Sequence, residues 1–169
     1  MDSAVWDSAP GRLVIVCGLP GSGKTTLARS LEKRLRGVRL SPDDWMDALG
    51  VNLYDLAVRA RIEALQWSMA QRLLELGLVV IIEWGTWARA ERETLRLGAR
   101  ALGAAVELRF VSAAPDVLID RIQRRAREDP PIPPDSVRGL FDLFEAPNEE
   151  EFALYDTPAT IEDGNESAR

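Results

Sequence analysis

Short apolar runs alternate with longer stretches in which apolar residues recur every three or four positions. Leu13-Val14-Ile15-Val16-Cys17 is continuous and apolar, the pattern of a strand buried on both faces. Leu27, Leu31 and Leu35 then fall at helical spacing, and Val38-Arg39-Leu40-Ser41 reads as a second short strand ending at Pro42-Asp43-Asp44. Residues 55–76 place Val58, Ile62, Leu65, Met69, Leu73 and Leu76 at steps of three and four, which predicts a long amphipathic helix stopped by Gly77. Leu78-Val79-Val80-Ile81-Ile82-Glu83 is the third strand. Thr86 is a candidate cap for a helix over 88–102, and residues 105–111 form the fourth strand. Pro115 opens a helix to about Arg127, the run Pro130–Pro134 interrupts the chain, and Val137, Leu140, Phe141 and Phe144 mark another helix. Ala159-Thr160-Ile161 reads as a short edge strand before a polar tail.

This alternation predicts an α/β fold with a parallel sheet covered on both faces. The expected strand order is 2-3-1-4-5, in one domain over 1–169 with its core at about 12–162. Ligands then belong along the carboxyl ends of the strands.

One segment at that edge carries a definite chemistry. Gly18-Leu19-Pro20-Gly21-Ser22-Gly23-Lys24-Thr25 has the spelling G-x-x-x-x-G-K-[ST], between a predicted strand and a predicted helix. Glycines let successive amides turn toward a phosphate, Lys24 reaches the β- and γ-phosphates, and the Thr25 hydroxyl suits Mg²⁺. The helix that continues through Thr26 points its positive end at the same place. The chain has only two lysines against nineteen arginines, and one of them fills this slot. ATP and Mg²⁺ are therefore the expected cofactors, with Gly18, Pro20, Gly21, Ser22, Gly23, Lys24, Thr25 and Thr26 as the binding residues.

Composition narrows the chemistry further. The sequence contains no histidine, so a general base has to be a carboxylate or, less readily, Lys, Tyr or Cys. The net charge of −6 argues against a long nucleic-acid partner. No run approaches a membrane span, and the opening Met1–Asp7 is acidic, unlike a secretory leader. Cys17, the one cysteine, falls inside the first strand and reads as a small buried hydrophobe. A reducing cytoplasm is the expected location, with the chain a monomer or homodimer.

Transfer of a phosphoryl group to a hydroxyl needs a carboxylate, Mg²⁺ and cations around the migrating group. Asp43 and Asp44 end the second strand as candidate bases, although Asp43 also suits a helix N-cap after Pro42. Glu83 ends the third strand, where an acid can hold the shell of Mg²⁺ together with Thr25. Arg121, Arg124 and Arg125 share a helical face ahead of the proline run, as a lid closing on phosphate requires, with Arg125 favoured. Trp45, Trp84 and Trp87 follow the ligand-side strand ends and form a candidate wall for a flat or sugar-like acceptor. Arg89 and Arg92 begin the next helix, where they either hold an anionic acceptor or face solvent.

Over about residues 12–156 the chain resembles the small P-loop kinases grouped as AAA-type ATP-binding proteins. These include polynucleotide 5′-hydroxyl kinase domains, the chloramphenicol phosphotransferase type and zeta-toxin-like kinases. The phosphate loop through Arg29 is similar to the group's opening, and Ser41-Pro42-Asp43-Asp44 to the segment carrying its catalytic aspartate, with Asp43 the better match. Leu118-Ile119-Asp120-Arg121-Ile122-Gln123-Arg124-Arg125 resembles the lid helix, with Arg121 and Arg125 in the arginine positions. Phe144 to Glu151 is similar to a segment common in the carboxyl-terminal part. Polynucleotide kinases resemble D-D-x-x-R after the second strand, whereas this chain reads Asp43-Asp44-Trp45-Met46-Asp47. Their aspartate after the third strand is here Glu83, followed by Trp84. The resemblance thus implies a kinase for a small-molecule hydroxyl (antibiotic, nucleoside or sugar-like), ahead of a 5′-hydroxyl kinase or a non-catalytic nucleotide switch.

Overall fold

A computed structural model describes residues 10–125, 134–156 and 160–163; for 125, 134–138 and 160–163 it describes the backbone alone. Arg127, the prolines at 130–133, Ala159, the first nine residues and the last six lie outside the described residues.

The described elements run β1 (Arg12–Cys17), α1 (Lys24–Leu35), β2 (Val38–Leu40), α2 (Pro42–Ala48), α3 (Leu56–Glu75) and β3 (Val79–Ile82). They continue with α4 (Arg89–Ala101), β4 (Ala105–Ser112), α5 (Pro115–Arg125), α6 (Pro134–Leu143), α7 (Glu149–Phe152) and β5 (Thr160–Asp163). The sheet has five strands in the order β2-β3-β1-β4-β5, and every pairing is parallel.

Residues 13–17 of β1 are fully buried because β1 is the central strand, with β3 and β4 on its two edges and helices on its two faces. Leu13, Ile15 and Cys17 share a core with Leu40, Ala70, Leu74, Leu95 and Ala99, on the α3/α4 side. Val14 and Val16 pack with Ala28, Leu31 and Ile81 under α1. Burial pushes the Cys17 thiol up to about 12, as the reading of a buried hydrophobe requires. Glu107 is buried on the α1 side and takes charge-assisted bonds from Arg12 at 2.9 Å and Arg109 at 3.0 Å.

Two helix expectations need correction. The buried positions of α3 are Ile62, Gln66, Ala70 and Leu74, while Leu65, Met69 and Leu76 are exposed. Apolarity misplaced that face for a reason: Ala70 is small enough to let the helix approach the sheet, and buried Gln66 accepts the Trp84 Nε1–H at 2.9 Å. α3 does end at Gly77, whose N–H returns to the Leu74 carbonyl at 2.9 Å. Thr86 does not cap α4. It is buried with φ 40°, and α4 starts after Ala88, whose N–H donates to the Glu91 carboxylate at 3.0 Å.

Candidate active site

The phosphate loop joins β1 to α1 at the carboxyl edge of the sheet. Gly18 has φ 147°, and a Cβ there would sit 2.4 Å from the Val111 carbonyl oxygen, so only glycine fits against the end of β4. Gly21 and Gly23 also have positive φ, and Gly23 is the N-cap of α1 in a left-handed conformation. A glycine cap offers no side-chain oxygen to the first-turn amides, which therefore remain suited to an anion. Lys24 Nζ lies over the loop, donating to the Leu19 carbonyl at 2.9 Å. The Ser22 hydroxyl is buried with no hydrogen-bond partner among the described residues, a polar atom left for a ligand. Thr26 lies one residue further on and is exposed. The loop thus fits a nucleotide's phosphates.

The two expected Mg²⁺ residues meet. The Thr25 hydroxyl donates to Glu83 Oε1, although the residues are 58 apart in sequence. Glu83 follows β3, and its side chain is nearly buried. A hydroxyl and a carboxylate are hard oxygen ligands of the kind Mg²⁺ takes alongside phosphate and water. Arg39 of β2 donates to the other Glu83 oxygen at 2.6 Å and also pairs with Asp44. Burial works against the Arg39 charge, but hydrogen bonds to Asp44 and Glu83 outweigh it and raise its pKa.

The Asp43–Asp44 pair opens α2, and the cap is Ser41, whose Oγ accepts the Asp44 N–H at 3.5 Å. Asp43 is therefore not the N-cap. Its carboxylate pairs instead with Arg59 of α3, which also lies 3.5 Å from Glu63. Burial raises the Glu63 pKa, Arg59 lowers it, and the neighbouring Glu91 and Asp43 raise it further. Asp43 and Glu63 thus share Arg59 beside α2, and the charge of Glu91 reaches Glu63. Sequence reading missed Arg39, Arg59 and Glu63. An arginine on an edge strand and charged residues on a long helix look like solvated positions until the fold brings acids to them.

All three candidate tryptophans are partly buried. Trp45 and Trp84 are partly buried against the α3/α4-side core, and Trp84 is fixed by Gln66. Trp87 is partly buried as well, its indole edge beside Gly85. Each lies within a few residues of a carboxylate of the site.

Arg92 is not an acceptor-binding arginine. It is fully buried and donates to the carbonyls of Thr86, Trp87 and Glu145 at 3.0, 3.2 and 2.8 Å, and to the Glu151 carboxylate. These bonds fix the loop after β3 and the segment at 145–151 that the sequence singled out. On α5, Arg121 Nη1 donates to the Gly21 carbonyl at 3.2 Å, so one of the two candidate lid arginines already reaches the phosphate loop. Arg124 is exposed and pairs with Asp120 at 2.9 Å. Arg125 ends α5, and its side chain is outside the described residues.

A family model for the AAA domain matches residues 13–147, and the chain belongs to that family. It is 36% identical over 130 residues to an uncharacterized protein of Mycobacterium tuberculosis, a match covering 68% of this chain and 26% of the relative. The chain therefore spans about a quarter of the length of the curated relatives it matches. Among solved structures it is similar to a Chloroflexus aurantiacus protein provisionally described as a kinase, with a TM-score of 0.69 and 22% identity over 92% of this chain and 88% of that one. A sugar kinase from Janibacter gives a TM-score of 0.61 and 22% identity, covering 93% and 87%. The fold is that of the P-loop kinases. Among the described residues, no helix is long and apolar enough to cross a membrane.

Proposed function

We propose that the chain is an ATP- and Mg²⁺-dependent phosphotransferase that moves the γ-phosphoryl group to a hydroxyl of a small molecule (antibiotic, nucleoside or sugar-like). The observation that carries this reading is the meeting of Thr25 with Glu83 at one end of a continuous edge that also holds Lys24 and Asp43. A nucleotide switch needs the first three residues but has no use for an acceptor-side carboxylate.

Bound Mg²⁺-ATP supplies the electrophilic phosphoryl group and neutralises part of its charge. The residues of the chain do the rest. Loop amides and Lys24 hold the phosphates, and Thr25 and Glu83 would hold the metal. Asp43 accepts the proton of the acceptor hydroxyl, which leaves the oxygen free to attack in line. Arg121 and Arg125 close from α5, bringing positive charge to the transferring group.

The acceptor side is aromatic and carboxylate-rich. Trp45, Trp84 and Trp87 are the candidate aromatic lining, and Asp43 and Glu63 bring two carboxylates to Arg59. Such a lining favours a neutral or cationic acceptor and disfavours an oligonucleotide, whose phosphates need a basic track. The similarity to a sugar kinase supports the same preference. The test is mass spectrometry of ATP reactions with pooled nucleosides, aminoglycosides, phenicols, sugars and a 5′-hydroxyl oligonucleotide. A product heavier by about 80 Da, one added phosphoryl group, names the acceptor class. A gain on the oligonucleotide alone overturns the small-molecule reading.

A further inference from the structure

We infer that Arg39 is a positioning residue that ties the metal-side carboxylate Glu83 to the acceptor-side helix α2, and that by holding Asp44 it leaves Asp43 as the base. The inference rests on the phosphotransferase reading and assigns a role to a residue that the reading itself does not use.

Arg39 belongs to the edge strand β2, opposite Ile81 of β3, yet its side chain is only 10% exposed. Three elements present acids to it. Nη1 donates to Glu83 Oε2 at 2.6 Å, Nη2 donates to Asp44 Oδ2, and Nε lies 3.6 Å from Glu32 of α1. An isolated surface pair would hold little in place. Here one rigid planar fork serves two carboxylates, so it fixes their positions relative to each other, which a flexible lysine cannot do.

The other Glu83 oxygen takes the Thr25 hydroxyl. A continuous polar path therefore runs from the phosphate loop through Thr25, Glu83 and Arg39 to Asp44 on α2. Successive residues of a helix project about 100° apart. With Asp44 turned toward β2, Asp43 projects toward α3, where Arg59 meets it. The path thus separates two adjacent aspartates that the sequence cannot rank by chemistry. Asp44 anchors the helix, and Asp43 faces the acceptor side.

Three measurements on the full chain test this. In protein without nucleotide or metal, denaturant unfolding of Arg39→Gln, Asp44→Asn and the double variant should show coupling, the double being no worse than Arg39→Gln alone. In calorimetry, Arg39→Gln should raise the Mg²⁺ concentration needed to tighten ATP binding by about 10-fold or more, with metal-free ATP affinity unchanged. In transfer assays, Asp44→Asn should cost little in the Arg39→Gln background, whereas Asp43→Asn should still remove most of the remaining turnover. Arg39→Lys, which keeps the buried charge paired, serves as the second variant and should recover only part of the Mg²⁺ response. Additive stabilities together with an unchanged Mg²⁺ response in both Arg39 variants would overturn the inference. So would an Asp44→Asn loss equal to that of Asp43→Asn whatever residue occupies position 39. A wild-type chain that binds no ATP fails the phosphotransferase reading itself, and the inference falls with it.

Discussion

Arg92 and Glu151, 59 residues apart in sequence, form a two-pronged ion pair inside the protein, with Nε to Oε1 at 2.6 Å and Nη2 to Oε2 at 2.8 Å. Burial opposes the Arg92 charge, but the hydrogen bond to Glu151 outweighs it and raises the guanidinium pKa. The Glu151 N–H is itself bonded to Asn148 Oδ1 at 2.9 Å, so α7 is built around presenting this acid. The pair holds three backbone carbonyls of the site's outer loops.

Replacing Arg92 by Leu therefore strands a buried carboxylate and three carbonyls. The expected loss is about 3–5 kcal/mol of stability, the usual cost of breaking a buried pair on one side. Denaturant unfolding checks it. A change within a few tenths of a kcal/mol would show that Glu151 finds water or another partner.

Lys24→Ala should abolish transfer and sharply weaken Mg²⁺-ATP binding with the fold retained. It removes a charge-assisted contact to phosphate together with the bond to the Leu19 carbonyl. Calorimetric titration beside circular dichroism decides the matter. Unchanged affinity would remove the nucleotide-site assignment.

Asp43→Asn keeps the size of the side chain and part of its bond to Arg59 but cannot accept a proton. Turnover should fall by about two to four orders of magnitude, the usual span of general base catalysis, with ATP affinity preserved. Near-normal turnover here, with collapse in Asp44→Asn, would move the base one residue along.

Arg121→Ala should lower kcat more than ATP affinity if α5 closes on the transferring group, because the contact tightens in the transition state. Arg125→Ala should behave in the same way. A fall in melting temperature with unchanged turnover per folded molecule would mark Arg121 as a support for the Gly21 carbonyl side of the loop.

Alkaline pH should destabilise the chain through two buried acids. Burial raises the Cys17 thiol from 9.0 to about 12 and the Tyr155 phenol from 10.0 to about 12, the tyrosine also by the nearby Glu151 charge. Both are neutral when protonated. Their contribution is thus complete below about pH 9 and is lost as pH rises toward 12, where the unfolded chain releases protons that the folded one keeps. Urea unfolding at pH 8 and 10.5 should show the decline, and Cys17→Ala with Tyr155→Phe should flatten it. The native thiol should also resist alkylation at pH 8 until the protein is unfolded.

The strands and the phosphate loop were legible because their signals are local. A continuous run such as Val79–Ile82 has to be buried on both faces, and the glycines of 18–23 fit few backbones. The placement of a residue was legible where it closely follows a strand end, as for Asp43 after β2 and Glu83 after β3. It was illegible where the partner comes from elsewhere in the chain. Arg92 looks like any first-turn helix arginine until Glu151 arrives from α7, and Leu65 looks like core until Gln66 takes the inward position to satisfy Trp84. The short helix α2 was hidden behind the question of whether Asp43 caps it, a role that falls to Ser41.

The contact between Gly18 and Val111 also sets an order in time. The phosphate loop is made early, but the carbonyl it packs against belongs to the end of β4. At ordinary synthesis speeds the ribosome needs about 5–20 s to travel from one to the other. Through that interval β1 has neither of its flanking strands for most of the time, and Lys24 belongs to a loop without its backing. The contact that shapes the loop can therefore close only after residue 111 has been made.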